Sequence, residues 1–294
     1  MPTVMLLVGG LLGTIIGTLL AGGMVAAAGL PVYGPAQNVL AALLALGPGG
    51  ILPHVVHPIL MLFGAGLGLL VATIFLYVGA AISFLTGVAL GEFFSRGAII
   101  GAASSANWLI MSAIPPLSVF APIIFVVTLL ALIPPIAANR FYQRVLGALG
   151  WILPLNYLML PLGVLLFVVS APFALAAPAG TGSVRWDWLT WTIETAGGAV
   201  LALASAPFNV GNFTFIPPGV TTSPAFTSGV SAHETGHTLN GSAFGGFFYW
   251  IGAVDENLVP GPVAGTVRGA AAYSEMLAEG HFGPGPGRPF IPMW

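Results

Sequence analysis

The chain contains no cysteine and no lysine in its 294 residues, and it has little charge of either sign. The lack of cysteine rules out disulfides, thiolate metal sites, iron–sulfur clusters and a cysteine nucleophile. With no lysine, and with six arginines spread along the chain, no basic stripe forms, which excludes nucleic acid as a partner. Charged residues make up 5% of the chain, against about a quarter in soluble domains. Hydrophobic residues make up 57%, and the mean hydropathy is +1.00. A chain so poor in charge cannot cover a large water-facing surface. The expectation is therefore an all-α, polytopic helical membrane protein.

Apolar runs are what the chain has in place of charge. Six stretches read as transmembrane helices: residues 3–29, 59–91, 97–114, 118–138, 151–177 and 189–206. In the first, Gly9, Gly13, Gly17 and Ala21 recur every four residues, which predicts a smooth face for close packing against another helix. The fourth is stopped by Asn139-Arg140, and the fifth is interrupted by Pro154 and Pro161, tolerated in a bilayer where neighbours satisfy the freed backbone. Trp186, Trp188 and Trp191, in a loop with Arg185 and Asp187, are suited to a headgroup belt. Glu194 lies inside the sixth run, where a carboxylate needs a partner such as Arg185. Glu92 and Arg96 stand in the order that favours a helical ion pair. His54 and His57, flanked by prolines, read as loop histidines.

These runs set the expected organisation: a transmembrane helical domain over residues 1–206 and a C-terminal, partly membrane-associated metal-site segment over 207–294. Counting arginines in short loops places Arg96, Arg140, Arg144, Arg268 and Arg288 on one side with both termini. The positive-inside rule makes that side cytoplasmic.

The sharpest chemical signal is His233-Glu234-Thr235-Gly236-His237-Thr238. In an H-E-x-x-H helix the histidines lie one turn apart on one face and can share a metal ion, with the glutamate beside them as a general base. Asn240-Gly241 supplies the helix stop. A catalytic zinc ion takes three protein ligands and keeps one position open. Residues 270–280 read as a helix on which Glu275 and Glu279 share a face, so Glu275 is the candidate third ligand; Asp255 is the alternative. Tyr273, His281 and Arg268 are candidate donors to an oxyanion.

Over residues 229–281 the chain resembles the gluzincin class of zinc metallopeptidases, in which H-E-x-x-H is completed by a glutamate on a later helix. The membrane branch of that class, the CaaX-processing and heat-shock membrane peptidases, carries E-x-x-x-D on the second helix. The resemblance implies His233, His237 and Glu275 as zinc ligands, Glu234 as the catalytic base, Tyr273 in catalysis and Glu279 in the place of the aspartate that orients a ligand histidine. The segment is also similar to bacterial membrane proteins with H-E-x-G-H-T and a downstream Y-x-E-x-x-A-E, which implies a bacterial cytoplasmic membrane. Site-2-type proteases differ, since their N-x-x-P-x-x-x-x-D-G pattern is missing here.

The resulting expectation is a zinc-dependent membrane metallopeptidase. Its partners would be the lipid bilayer and a peptide or membrane-protein substrate. The competing expectation is a non-catalytic subunit, set among neighbouring membrane subunits of a larger complex, with a structural or vestigial metal site. Broken helices and Glu194 also admit a transporter.

Overall fold

A computed structural model of the protein describes residues 2–27, 90–112, 117, 119–222 and 229–246. The described residues fall into two compact units, one up to Ile133 and one from Pro134. They contain seven α-helices and a four-stranded mixed sheet.

In the first unit, α1 (Pro2–Ala27) packs along α2 (Leu90–Ser112), and α3 (Ala121–Leu129) follows. The expected glycine face is what brings α1 and α2 together. A Cβ on Gly13 would lie 1.8 Å from the Ala98 carbonyl oxygen, and one on Gly9 1.9 Å from that of Phe94. Approach this close requires glycine. Gly97 and Gly101 reciprocate from α2, set against the carbonyls of Leu6 and Gly10. Trp108 lies against Phe125 with ring centroids 5.0 Å apart.

The second unit begins with α4 (Pro134–Ala137) and α5 (Arg140–Leu149), the latter capped by the Asn139 side chain, which accepts from the amides of Phe141 and Tyr142. A 3₁₀ turn (Pro154–Leu158) leads into α6 (Leu160–Leu175). Then come β1 (Ser183–Asp187), β2 (Thr192–Ala196), β3 (Phe208–Val210), β4 (Phe213–Ile216) and α7 (Gly229–Phe244). The sheet order is β1-β2-β4-β3, with β2 and β4 parallel and both outer pairs antiparallel.

Strand alternation divides this sheet into two unlike faces. One face carries Phe208, Val210, Phe213 and Phe215, and these pack on Met159, Leu160, Leu166 and Phe167 at and around α6. The other carries Arg185, Asp187, Thr192, Glu194, Asn209 and Thr214 in register across the strands, and α7 lies on it through hydrogen bonds. Gly211, at φ +65°, makes the β3–β4 turn, where a two-residue hairpin needs a left-handed residue. Trp191 is left-handed too, at φ +57°. Its carbonyl is held by the Trp151 indole at 2.8 Å and by the Asn212 amide at 3.1 Å.

This architecture overturns the expected all-α polytopic membrane fold. Among the described residues, no helix is long and apolar enough to cross a membrane. The expected span 189–206 is strand β2, a turn and a 3₁₀ turn, because β-branched Thr192, Ile193 and Thr195 favour extended backbone. The span 118–138 breaks after Leu129, since Pro134 and Pro135 each lack the amide a continuous helix requires. In 151–177 only the 16 residues of α6 are α-helical, about 24 Å at ~1.5 Å per residue, against the ~30 Å of a hydrocarbon core. Residues 97–114 fall largely on α2, which buries Ser104, Ser105 and Asn107. Residues 3–27 of the first run lie on α1, while residues 28 and 29 and nearly all of 59–91 lie outside the described residues.

The integral-membrane placement, with both termini cytoplasmic in a bacterial inner membrane, falls with the spans. Arginine counts orient loops only when spans separate them. The tryptophans of the supposed headgroup belt instead pack together around the β1–β2 turn. Trp186 and Trp191 meet edge to face at 5.8 Å, and Trp151 stacks on Trp186.

Candidate metal centre

The H-E-x-x-H motif is helical as expected and lies near the middle of α7, but the helix runs on through the expected stop at Asn240-Gly241 to Phe244. Residues 231, 235 and 238 of a helix fall on one side, and here Ser231 and Thr238 bond to the sheet, while Thr235 is buried. Positions 233 and 237 turn away from that side. Their imidazoles meet there, with Nε2 of His233 and Nε2 of His237 3.1 Å apart and the rings edge to face. Glu234 lies between the histidine side and the sheet side. Its carboxylate and the two imidazoles each offer a ligand atom, and these atoms all lie within 4.8 Å of one another. Glu234 is 4% exposed, His237 3%, and His233 is half-buried.

These residues fit a metal. Two nitrogens bound tetrahedrally at about 2.0–2.1 Å stand about 3.3 Å apart, close to the observed separation. Borderline nitrogen donors beside one carboxylate suit a first-row transition ion better than calcium or magnesium, which prefer oxygen ligands. The His233–Glu234–His237 group could hold a metal ion. Tyr273, Glu275, Glu279 and Asp255 lie outside the described residues, as do His54, His57, Arg268 and His281. The side chains of Glu92 and Arg96 are likewise outside them.

Beneath the motif runs a polar network that the sequence does not advertise. The Asn209 side-chain amide donates to the carbonyl oxygen of Glu234 at 3.0 Å, and also lies 3.0 Å from Thr238 Oγ1 and 3.2 Å from Thr214 Oγ1. Thr238 donates to the Gly211 carbonyl at 2.9 Å and accepts from Thr192 at 3.0 Å. Thr192 meets Thr190 at 2.9 Å, and Asp187 accepts from the Thr190 hydroxyl and from the amides of Leu189 and Thr190. Burial holds the Arg140 guanidinium below its ordinary pKa, and the attraction of Asp187 acts in the opposite direction.

Glu194 is fully buried on β2 and pairs with Arg185, its neighbour across the strands. That pairing is the one the sequence suggests, reached through a sheet rather than a span. Arg185 also lies 3.5 Å from Ser231 at the start of α7. The signal that could have revealed the network is strand alternation, which sets Glu194, Asn209 and Thr214 on a single face. When compared with known protein families, with curated proteins and with solved structures, the chain matches none.

Proposed function

We propose that this chain is a zinc-dependent metallopeptidase, with His233 and His237 as two of the zinc ligands and Glu234 as the general base. The observation that supports this reading is the convergence of two imidazole nitrogens beside a buried carboxylate on one turn of α7. Glu275 is the third ligand in this proposal, with Asp255 as the alternative, and Glu279 orients a ligand. When bound, zinc supplies Lewis acidity to the scissile carbonyl and to water. Glu234 takes a proton from the attacking water and delivers it to the departing amine. Tyr273 donates a hydrogen bond to the oxyanion as the carbonyl becomes tetrahedral. The substrate is a peptide or protein.

The test is Glu234→Gln. This substitution keeps the shape of the side chain and removes the base. Zinc content should match the wild type, while turnover of a peptide library should fall by about 10²–10⁴-fold, the usual contribution of a positioned base. Glu234→Gln turning over peptides at the wild-type rate would exclude the reading. The deep burial of His237 and Glu234 favours a second one, a structural metal site in a subunit that contacts other chains. Zinc bound stoichiometrically by a wild type that cleaves no peptide would establish that alternative.

A further inference from the structure

We infer that Asn209 is a positioning residue for the metal centre, acting through the backbone of α7; the inference rests on the metal-binding reading above. The helix and the sheet meet across polar surfaces. Apolar packing is non-directional and cannot set the register of two such faces; hydrogen bonds can. Asn209 is buried on β3 beneath the motif. A carbonyl oxygen can only accept, so the bond to Glu234 fixes the orientation of the Asn209 amide, with nitrogen toward the helix. That nitrogen spans the Glu234 carbonyl and the Thr238 hydroxyl, positions i and i+4. His233 and His237 are the residues immediately preceding these two. Asn209 therefore grips the same helical turn that sets one imidazole above the other.

Thr238 completes the grip. It bonds to β2 through Thr192 and to the β3–β4 turn through Gly211. Glu234 and the imidazole pair are thus held from below by three separate pieces of the sheet. Without the Asn209 donor, the backbone of this turn loses its anchor at Glu234 and can distort, and the imidazoles and the Glu234 carboxylate lose their fixed placement. Residues that orient metal ligands typically contribute 10–100-fold to affinity. Asn209 acts on the backbone rather than on an imidazole, so its share falls at the low end of that range.

The experiment titrates the purified full chain with Zn²⁺, and with Co²⁺ to read ligand geometry from its visible absorption. Asn209→Ala and Asn209→Asp should each weaken Zn²⁺ binding about tenfold and alter the cobalt spectrum, the aspartate because it presents an acceptor to the Glu234 carbonyl. Thr238→Val should weaken binding as well, and Thr238→Ser, which keeps the hydroxyl, should restore wild-type affinity. Folded Asn209 variants with wild-type affinity and spectrum would overturn this inference alone. A wild type that binds neither metal would overturn the metal reading along with it. If both Asn209 variants fail to fold, the Thr238 pair decides, and equal affinity of the valine and serine forms overturns the inference.

Discussion

At the scale of single residues, the most consequential buried charge outside the metal group is Glu194. It has no exposed surface, and its pairing with Arg185 compensates it, through the guanidinium Nε at 3.0 Å and a second, closer nitrogen. A buried carboxylate that loses its partner cation costs far more than the pair contributes, because desolvation is then uncompensated. Arg185→Met should therefore destabilise the protein by about 3 kcal/mol in chemical denaturation. Adding Glu194→Leu should recover most of that loss, since it removes the stranded charge. A single mutant as stable as the wild type would show that Glu194 does not depend on Arg185. The sequence makes this pair and the H-E-x-x-H group legible because each relies on short spacing, across one hairpin or one helical turn. Asn209 and Thr238 escape notice for the opposite reason. They are ordinary polar residues 29 positions apart, and only the β3–β4–α7 arrangement brings them together.

At the scale of elements, local pattern succeeds where one period dominates and fails where hydropathy hides another. The four-residue glycine repeat predicts a close helix contact, and α1 makes it with α2. Gly13→Ala tests how far that contact depends on glycine. Alanine is the better helix former by about 1 kcal/mol. Yet its Cβ would fall 1.8 Å from the Ala98 carbonyl oxygen, a backbone atom that can move only with its helix. Steric cost wins, and the variant should lose about 1–3 kcal/mol in thermal or denaturant unfolding. A gain in stability would mean that α1 and α2 do not pack this closely in solution. The strands were hidden because Phe, Val and Ile score as membrane-like in a long window, while their alternation with Asn and Thr emerges only over three or four residues. Prolines carried a signal too. Pro134 and Pro135 break the helix within one apolar run, and Pro154 opens a 3₁₀ turn in another.

At the scale of the whole molecule, the apolar excess of the described residues is distributed differently from the way the composition suggests. Part of it appears as exposed side chains on α1 and α6, such as Leu11, Leu19, Val168 and Leu175. Part fills the aromatic face of the sheet, leaving the scarce polar residues to gather beneath α7. This division makes the metal's effect on stability predictable in space as well as in size. Both imidazoles belong to α7, which bonds to β2, to β3 and to the β3–β4 turn. An opening that unwinds α7 as it leaves the sheet breaks the turn that holds the ion. An ion that binds only the closed form stabilises it by about 4 kcal/mol when present at a thousand times its dissociation constant. Amides of α7, β2 and β4 that exchange through this opening should then slow by about 10³-fold on adding zinc, whereas those of α1 and α2 should keep their rates. His237→Ala should abolish the difference. Equal slowing in both units, or slowing that survives His237→Ala, would place the ion elsewhere in the chain.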